Sequence, residues 1–182
     1  MIEAVLLTGG RSVRMGRDKA SLPIEGERLA VRIVRLLSEA GVPTTVLGRE
    51  PVEGARLLRD DEHIDTPLDA LRRFRPSEPL VFVLSCDLPK FDAGLVNVLA
   101  ERIEGFDAVA PYVDGFRQPL VALYRASAFD RFLDADCPMS WLKALNTRLV
   151  DEAELLAAGI HPDGTRGANT PEELSALVGA ED

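Results

Sequence analysis

Apolar positions fall along this chain in short runs that switch between two periods. Residues 2–7 are a short, largely aliphatic and β-branched run that includes Glu3, long enough for a buried strand and too short for a helix. A short extended piece follows at 22–24. Leu29, Ile33, Leu36 and Leu37 then recur at helical spacing over 28–40, and Gly41 ends that helix. Strands are predicted at 44–47 and at 57–58, and a helix at 67–74 with Pro67 in its first turn. Residues 80–85 are continuously apolar, the mark of a strand buried on both faces. A helix over 91–103, starting from Asp92, leads to a strand at 107–112, a turn at Gly115 and another strand at 119–124. Helices at 126–133 and 140–145, a strand at 147–150 and a helix at 151–158 complete this part. A polar loop, 159–167, precedes Thr170-Pro171-Glu172-Glu173, a capping box with proline at the first helical position, so a last helix is predicted over 171–178.

Strands that alternate with helices predict an α/β fold in three layers, a mainly parallel sheet with helices on both faces. No linker, repeat or low-complexity stretch divides the 182 residues, so 1–182 reads as a single domain. A chain of this size buries about 70% of its unfolded surface. In such sheets ligands collect at the carboxyl ends of strands.

Composition narrows the function classes. No apolar run approaches the roughly 18 residues that cross a bilayer, and Glu3 and Gly9 interrupt any signal-like segment, so a cytoplasmic protein without membrane attachment is expected. The two cysteines, Cys86 and Cys137, have neither zinc nor disulfide spacing, and buried thiols are the expectation. A formal net charge of −9 argues against nucleic acid as a partner. It would also repel a phosphorylated substrate, so attraction has to be local.

The segment after the first strand supplies it. Gly9 and Gly10 allow close approach of backbone N–H groups to an anion, and Arg11, Arg14, Arg17 and Lys19 follow against the single acid Asp18. An ordinary turn with solvated arginines is the competing reading. The Gly-Lys-Ser/Thr end of a Walker A loop is missing, as is a Gly-x-Gly-x-x-Gly fingerprint. Ser85-Cys86-Asp87-Leu88-Pro89 follows the most apolar strand, which places Asp87 at a strand's carboxyl end. There it could hold Mg2+, which takes one or two carboxylates together with substrate phosphates; capping or turning the chain before Pro89 are its alternatives. His63 and His161 have no nucleophile spaced near them.

Leu7-Thr8-Gly9-Gly10-x-Ser12-x-Arg14-Met15-Gly16-x-Asp18-Lys19-Ala20 closely resembles the signature Leu-Ala-Gly-Gly-x-Ser-x-Arg-Met-Gly-x-Asp-Lys-Ala of the MobA-type molybdenum cofactor guanylyltransferases, members of the nucleotidyltransferase superfamily. The resemblance implies a Rossmann-like domain that transfers GMP from GTP to the terminal phosphate of molybdopterin or molybdenum cofactor and releases pyrophosphate. It implies nucleotide contacts at Leu7, Gly9, Gly10, Arg14, Lys19, Asp60, Asp61 and Asp87, with Arg14, Lys19 and Asp87 catalytic and Asp87 the Mg2+ ligand. Gln118 with Arg117, and Asn169, are candidates for the acceptor substrate; a strand entrance and the brace of the last helix are their bland roles. A solvated acidic turn likewise competes for Asp60 and Asp61. Contact with other cofactor-biosynthesis proteins would be transient.

Two segments depart from the family pattern. Thr66 stands where the first glycine of Gly-Pro-Leu-Ala-Gly belongs, with a second glycine replaced near Leu71 and Asp69 an added charge; Gly167 stands where the first asparagine of Asn-x-Asn-Thr-Pro-Glu-Glu-Leu belongs. Three alternatives therefore remain: a cytidylyltransferase of the cofactor, a sugar-phosphate nucleotidyltransferase, and a nucleotide-binding module without catalysis. Paired glycines at 9 and 10 favour guanine by the same resemblance.

Overall fold

The computed structural model describes residues 1–8, 23–24, 27–60, 64, 66–132, 135–168 and 173. Ten strands and five α-helices occur among them: β1 (Ile2–Leu7), β2 (Pro23–Ile24), β3 (Glu27–Arg28), α1 (Leu29–Glu39), β4 (Thr44–Gly48), β5 (Arg56–Arg59), α2 (Pro67–Arg73), β6 (Leu80–Ser85), α3 (Gly94–Ala100), β7 (Ala108–Val113), β8 (Phe116–Arg117), β9 (Val121–Arg125), α4 (Pro138–Ala144), β10 (Thr147–Asp151) and α5 (Glu152–Ala157). The main sheet has the order β10-β7-β9-β6-β1-β4-β5, with β8 paired to β7; β2 and β3 form a separate ribbon.

Alternation along the strands builds the three layers. Ala4 and Leu6 of β1 face a core filled by Leu29, Ile33 and Leu37 of α1, Leu95 and Leu99 of α3 and Leu155 of α5. Val5 and Leu7 face the other core, with Leu68 and Leu71 of α2 and Trp141 and Leu142 of α4. On β6, residues 81–84 are fully buried, as a strand covered on both sides requires. Its register against β1 runs from Ile2 opposite Leu80 to Leu7 opposite Ser85.

β1, β4, β5 and β6 run parallel, as do β7 and β10. β9 runs against both of its neighbours, β6 and β7. The link from β7 to β9 is only the β8 hairpin arm and a turn, too short for the crossover that parallel strands need. Asp114 and Gly115, with φ of 54° and 78°, make the left-handed two-residue turn between β7 and β8.

Several expectations shift by local chemistry. The stretch from 126 is a 3-10 helix over Ala126–Asp130, not an α-helix to 133; Phe129 and Phe132, three apart, both pack on Trp141. Helix α3 begins at Gly94 because the Asp92 carboxylate turns the chain by accepting the Gly94 N–H at 2.8 Å. The strand expected from 119 begins at Val121, since Gln118 to Val121 closes a turn at 3.2 Å. The loop at 159–167 contains a further 3-10 turn, Pro162–Thr165. Of the last expected helix, Glu173 alone is described, and it is helical.

One thiol expectation is corrected. Cys86 is buried, but Cys137 is exposed, because it caps α4 from outside, its sulfur accepting the Ser140 N–H at 3.5 Å. Hydrogen bonding with the Ser140 backbone N–H, then with its hydroxyl, holds the Cys137 thiol below its ordinary value. An aromatic disulfide reagent should therefore titrate one thiol per chain promptly at neutral pH and the second only on unfolding. Two prompt equivalents, or loss of the prompt one in anything but Cys137→Ser, would contradict this packing.

Candidate functional site

The carboxyl edge of the sheet carries the described candidate residues Leu7, Asp60, Asp87 and Gln118. From β1 the chain crosses to β4, while from β6 it leaves in the other direction towards β7, so β1 and β6 flank a topological switch point. The two outgoing loops are laced together as they start. The Cys86 N–H donates to the Leu7 carbonyl at 3.1 Å, and the Thr8 N–H donates to the Leu47 carbonyl at 3.0 Å. Leu7 and Thr8 thus lie at the end of β1, beside the loop that carries Asp87.

Asp87 is half-buried, two residues beyond the end of β6. Its Oδ1 accepts the Ser85 hydroxyl at 2.5 Å, and its backbone carbonyl accepts the Ala168 N–H at 2.8 Å. Gly167 packs directly on the carboxylate: a Cβ placed there would lie 3.2 Å from Cγ and Oδ2 and 3.3 Å from Oδ1. The departure noted at Gly167 has a steric counterpart here, since the absent side chain leaves that carboxylate its room.

Leu7 is the last residue of β1 with its side chain in the core, 5% exposed, and its carbonyl bonded to Cys86. Asp60 is half-buried past the end of β5, its N–H donating to the Gly48 carbonyl at 2.8 Å. β5 lies two places from β1 and three from β6. At about 4.8 Å per strand, Asp60 and Asp87 leave the sheet roughly 15 Å apart. Gln118 is half-buried in the turn entering β9, its N–H donating to Pro111 at 3.0 Å, and the Ser85 N–H donates to Leu120 in the same turn at 2.9 Å. Gln118 and Asp87 are thereby brought to one corner of the edge, with Arg117 on β8 alongside. Gly9, Gly10, Arg14, Lys19, Asp61 and Asn169 lie outside the described residues.

Thr66 and Asp69, the other departure, are occupied with each other. The Thr66 hydroxyl accepts the Asp69 N–H at 3.2 Å and donates to Asp69 Oδ2 at 2.6 Å, while that carboxylate also accepts the Thr66 N–H. Together they form a capping box at the start of α2, with Pro67 at its first position. The Thr66 hydroxyl, helped by Arg72, holds the Asp69 carboxyl below the usual carboxylate range. The Thr66-x-x-Asp69 spacing is the signal for this box, readable in the sequence once the acid is taken as a cap.

A second group of charged residues was not legible from spacing. Arg166 donates from Nε and Nη2 to Asp114 at 2.7 and 2.9 Å and from Nη1 to Asp163. Arg166 holds the Asp114 carboxyl below its ordinary range through that hydrogen bond. Lys90 reaches Asp163 at 3.8 Å. Among the described residues no three His, Cys, Asp or Glu side chains cluster as a ready-made metal cage. None of the described helices is long and apolar enough to cross a membrane.

Comparison with known proteins agrees with this fold. The profile of the family described as "MobA-like NTP transferase domain" matches residues 4–149. A protein of Opitutus terrae named "Probable molybdenum cofactor guanylyltransferase" is 33% identical over 138 residues, 70% of this chain and 68% of the relative. One of the same name in Mycobacterium tuberculosis is 34% identical over 143 residues, 71% of each. In three dimensions the chain resembles molybdopterin-guanine dinucleotide biosynthesis protein A from Archaeoglobus fulgidus, with a TM-score of 0.74 and 21% identity over 97% of this chain and 96% of that one. The profile takes in the strand ends that carry Leu7, Asp60 and Asp87, and the chain is a nucleotidyltransferase belonging to the MobA-like NTP transferase domain family.

Proposed function

We propose that residues 1–182 act as one domain that transfers GMP from GTP to the terminal phosphate of molybdopterin or molybdenum cofactor, releasing pyrophosphate. The observation that carries this reading is Asp87, a carboxylate held at the switch point beside the end of β1, the strand that leads into the sequence signature of the guanylyltransferases. The names of the Opitutus and Mycobacterium relatives support the choice of GTP and of the acceptor.

Little covalent chemistry is asked of the protein, because the attacking group is already an anionic phosphate and needs no general base. Positioning and charge neutralisation carry the rate. In this reading Gly9 and Gly10 admit the nucleotide, Arg14 and Lys19 balance phosphate charge, and Asp60 and Asp61 contact the nucleoside. Gln118 and Asn169 face the acceptor. Asp87 fits a hard divalent cation: it offers an oxygen donor fixed by Ser85, and one such carboxylate beside substrate phosphates is the usual protein share of an Mg2+ site. Bound Mg2+ would neutralise charge on the phosphates as pyrophosphate departs.

Purified protein supplied with Mg2+, GTP and molybdopterin should release pyrophosphate, with CTP turned over at least about tenfold more slowly, a discrimination of about 1.4 kcal/mol. Faster turnover of CTP would assign a cofactor cytidylyltransferase. Turnover with a sugar phosphate in place of molybdopterin would move the reading to a sugar-phosphate nucleotidyltransferase, and no release with either nucleotide would leave a binding module.

A further inference from the structure

The segment that packs on Asp87 is fastened from elsewhere in the fold. Residues 162–168 run from a 3-10 turn through Arg166 to Gly167 and Ala168, which meet the Asp87 carboxylate and carbonyl. Thr165 is 1% exposed and Ala168 3%, so the segment is seated on both sides of Arg166. Gly164 is seated just as closely, for a Cβ there would lie 3.0 Å from the Lys90 carbonyl in the loop after β6.

Arg166 is the fastening. Each of its three nitrogens donates to a carboxylate, two to Asp114 and one to Asp163. Asp114 sits at the tip of the β7–β8 hairpin, whose left-handed turn is braced by the Asp114 N–H donating to Glu152 Oε1 at 2.9 Å. Asp163 in turn approaches Lys90. The guanidinium therefore joins the hairpin to the 162–168 segment, and Asp163 joins that segment through Lys90 to the loop carrying Asp87. A guanidinium so engaged is not available to grip a substrate phosphate, and a bidentate carboxylate pair fixes direction as well as distance.

We propose that Arg166 is a positioning residue of the nucleotide site: its pair with Asp114 holds Gly167 and Ala168 against Asp87, so that the carboxylate keeps one orientation toward the cation and phosphates. The proposal rests on the reading of Asp87 as the cation ligand. The Asp114 and Arg166 side chains are 57% and 32% exposed, and pairs of that kind add little to global stability. Loss of the pair should be felt at Asp87 rather than in the melting temperature.

Calorimetric titration with Mn2+·GTP, together with thermal melting, tests this. Arg166→Ala should weaken Mn2+·GTP binding about tenfold, the range seen when groups that orient a metal ligand are removed, with melting little changed. Arg166→Lys, which cannot reproduce the fork, should recover only part of it, and Asp114→Asn should weaken binding in the same direction. Unchanged binding in both Arg166→Ala and Asp114→Asn, while Asp87→Asn loses it, overturns the positioning role and leaves the cation reading standing. Should Arg166→Ala not fold, Asp114→Asn decides alone. Undiminished binding by Asp87→Asn removes the cation reading and this proposal with it.

Discussion

Trp141→Ala is expected to lower the unfolding free energy by about 3–5 kcal/mol, the range for deleting a large buried aromatic side chain. For a chain of this length that is a fall of roughly 6–20 °C in melting temperature. Trp141 is fully buried and stacks on Tyr124 at 4.2 Å between ring centroids and 10° between planes. Phe129 meets it edge-on at 5.4 Å, Phe132 lies at 4.5 Å, and its indole N–H donates to the Ala128 carbonyl at 3.2 Å. Truncation would open a cavity amid three rings and leave that carbonyl with the Arg131 N–H, at 3.1 Å, in place of two donors. Burial pushes the Tyr124 hydroxyl up from its ordinary value, so it stays a donor to Pro119 at 2.7 Å and cannot relieve the gap by ionising. Trp141→Phe keeps a ring but not the N–H, and should cost about 1–3 kcal/mol. A change of less than 2 °C in Trp141→Ala, read by calorimetry at neutral pH, would mean that α4 is not packed as a core element.

Such clusters explain which parts of the fold were legible in the sequence. β1 and β6 have the limits expected from their apolar runs, because strands covered on both faces admit no polar residue until the sheet ends. Glu3 is the exception that proves costly to ignore: it is buried, but its carboxylate accepts the N–H groups of Ser77 and Glu78 and the Ser77 hydroxyl, so the charge is satisfied by the chain entering β6. The segment from 126 was harder to read. Its apolar spacing suits an α-helix over eight residues, whereas Phe129 reaches Trp141 from a 3-10 turn that stops at Asp130, and Phe132 from the chain just beyond it.

The candidate site divides in the same way. Asp87 is legible because it follows a strand that could only be central, and Ser85, two residues before it, shares its turn. Thr66 and Asp69 are equally local, yet resemblance to a glycine-rich pattern obscured the capping box they form. Arg166 and Asp114 stand 52 residues apart. Nothing in either neighbourhood signals the other, and only the arrangement of β7, β8 and the 162–168 segment brings them together. Gly167 likewise looked like a missing asparagine until its clearance from the Asp87 carboxylate was known.

Asp87→Asn is expected to reduce kcat/KM for pyrophosphate release about 10²–10³-fold, the range for losing one electrostatic stabiliser of developing charge, here the cation that Asp87 would hold. The substitution is nearly isosteric. An amide oxygen can still accept the Ser85 hydroxyl, and the backbone bond to Ala168 and the contact with Gly167 remain, so melting temperature should hold. What is removed is a negative charge that draws a cation to phosphates which a chain of net charge −9 otherwise repels. Raising Mg2+ should recover part of the activity in Asp87→Asn if the lost function is cation affinity, and none if the carboxylate acts on the substrate directly. Asp60→Asn provides the internal control. Its strand is three places from β6, so it should alter nucleotide KM with much less effect on the Mg2+ requirement. Retention of activity within twofold by Asp87→Asn, at limiting Mg2+, would place the cation elsewhere and strip the switch point between β1 and β6 of the role proposed for it.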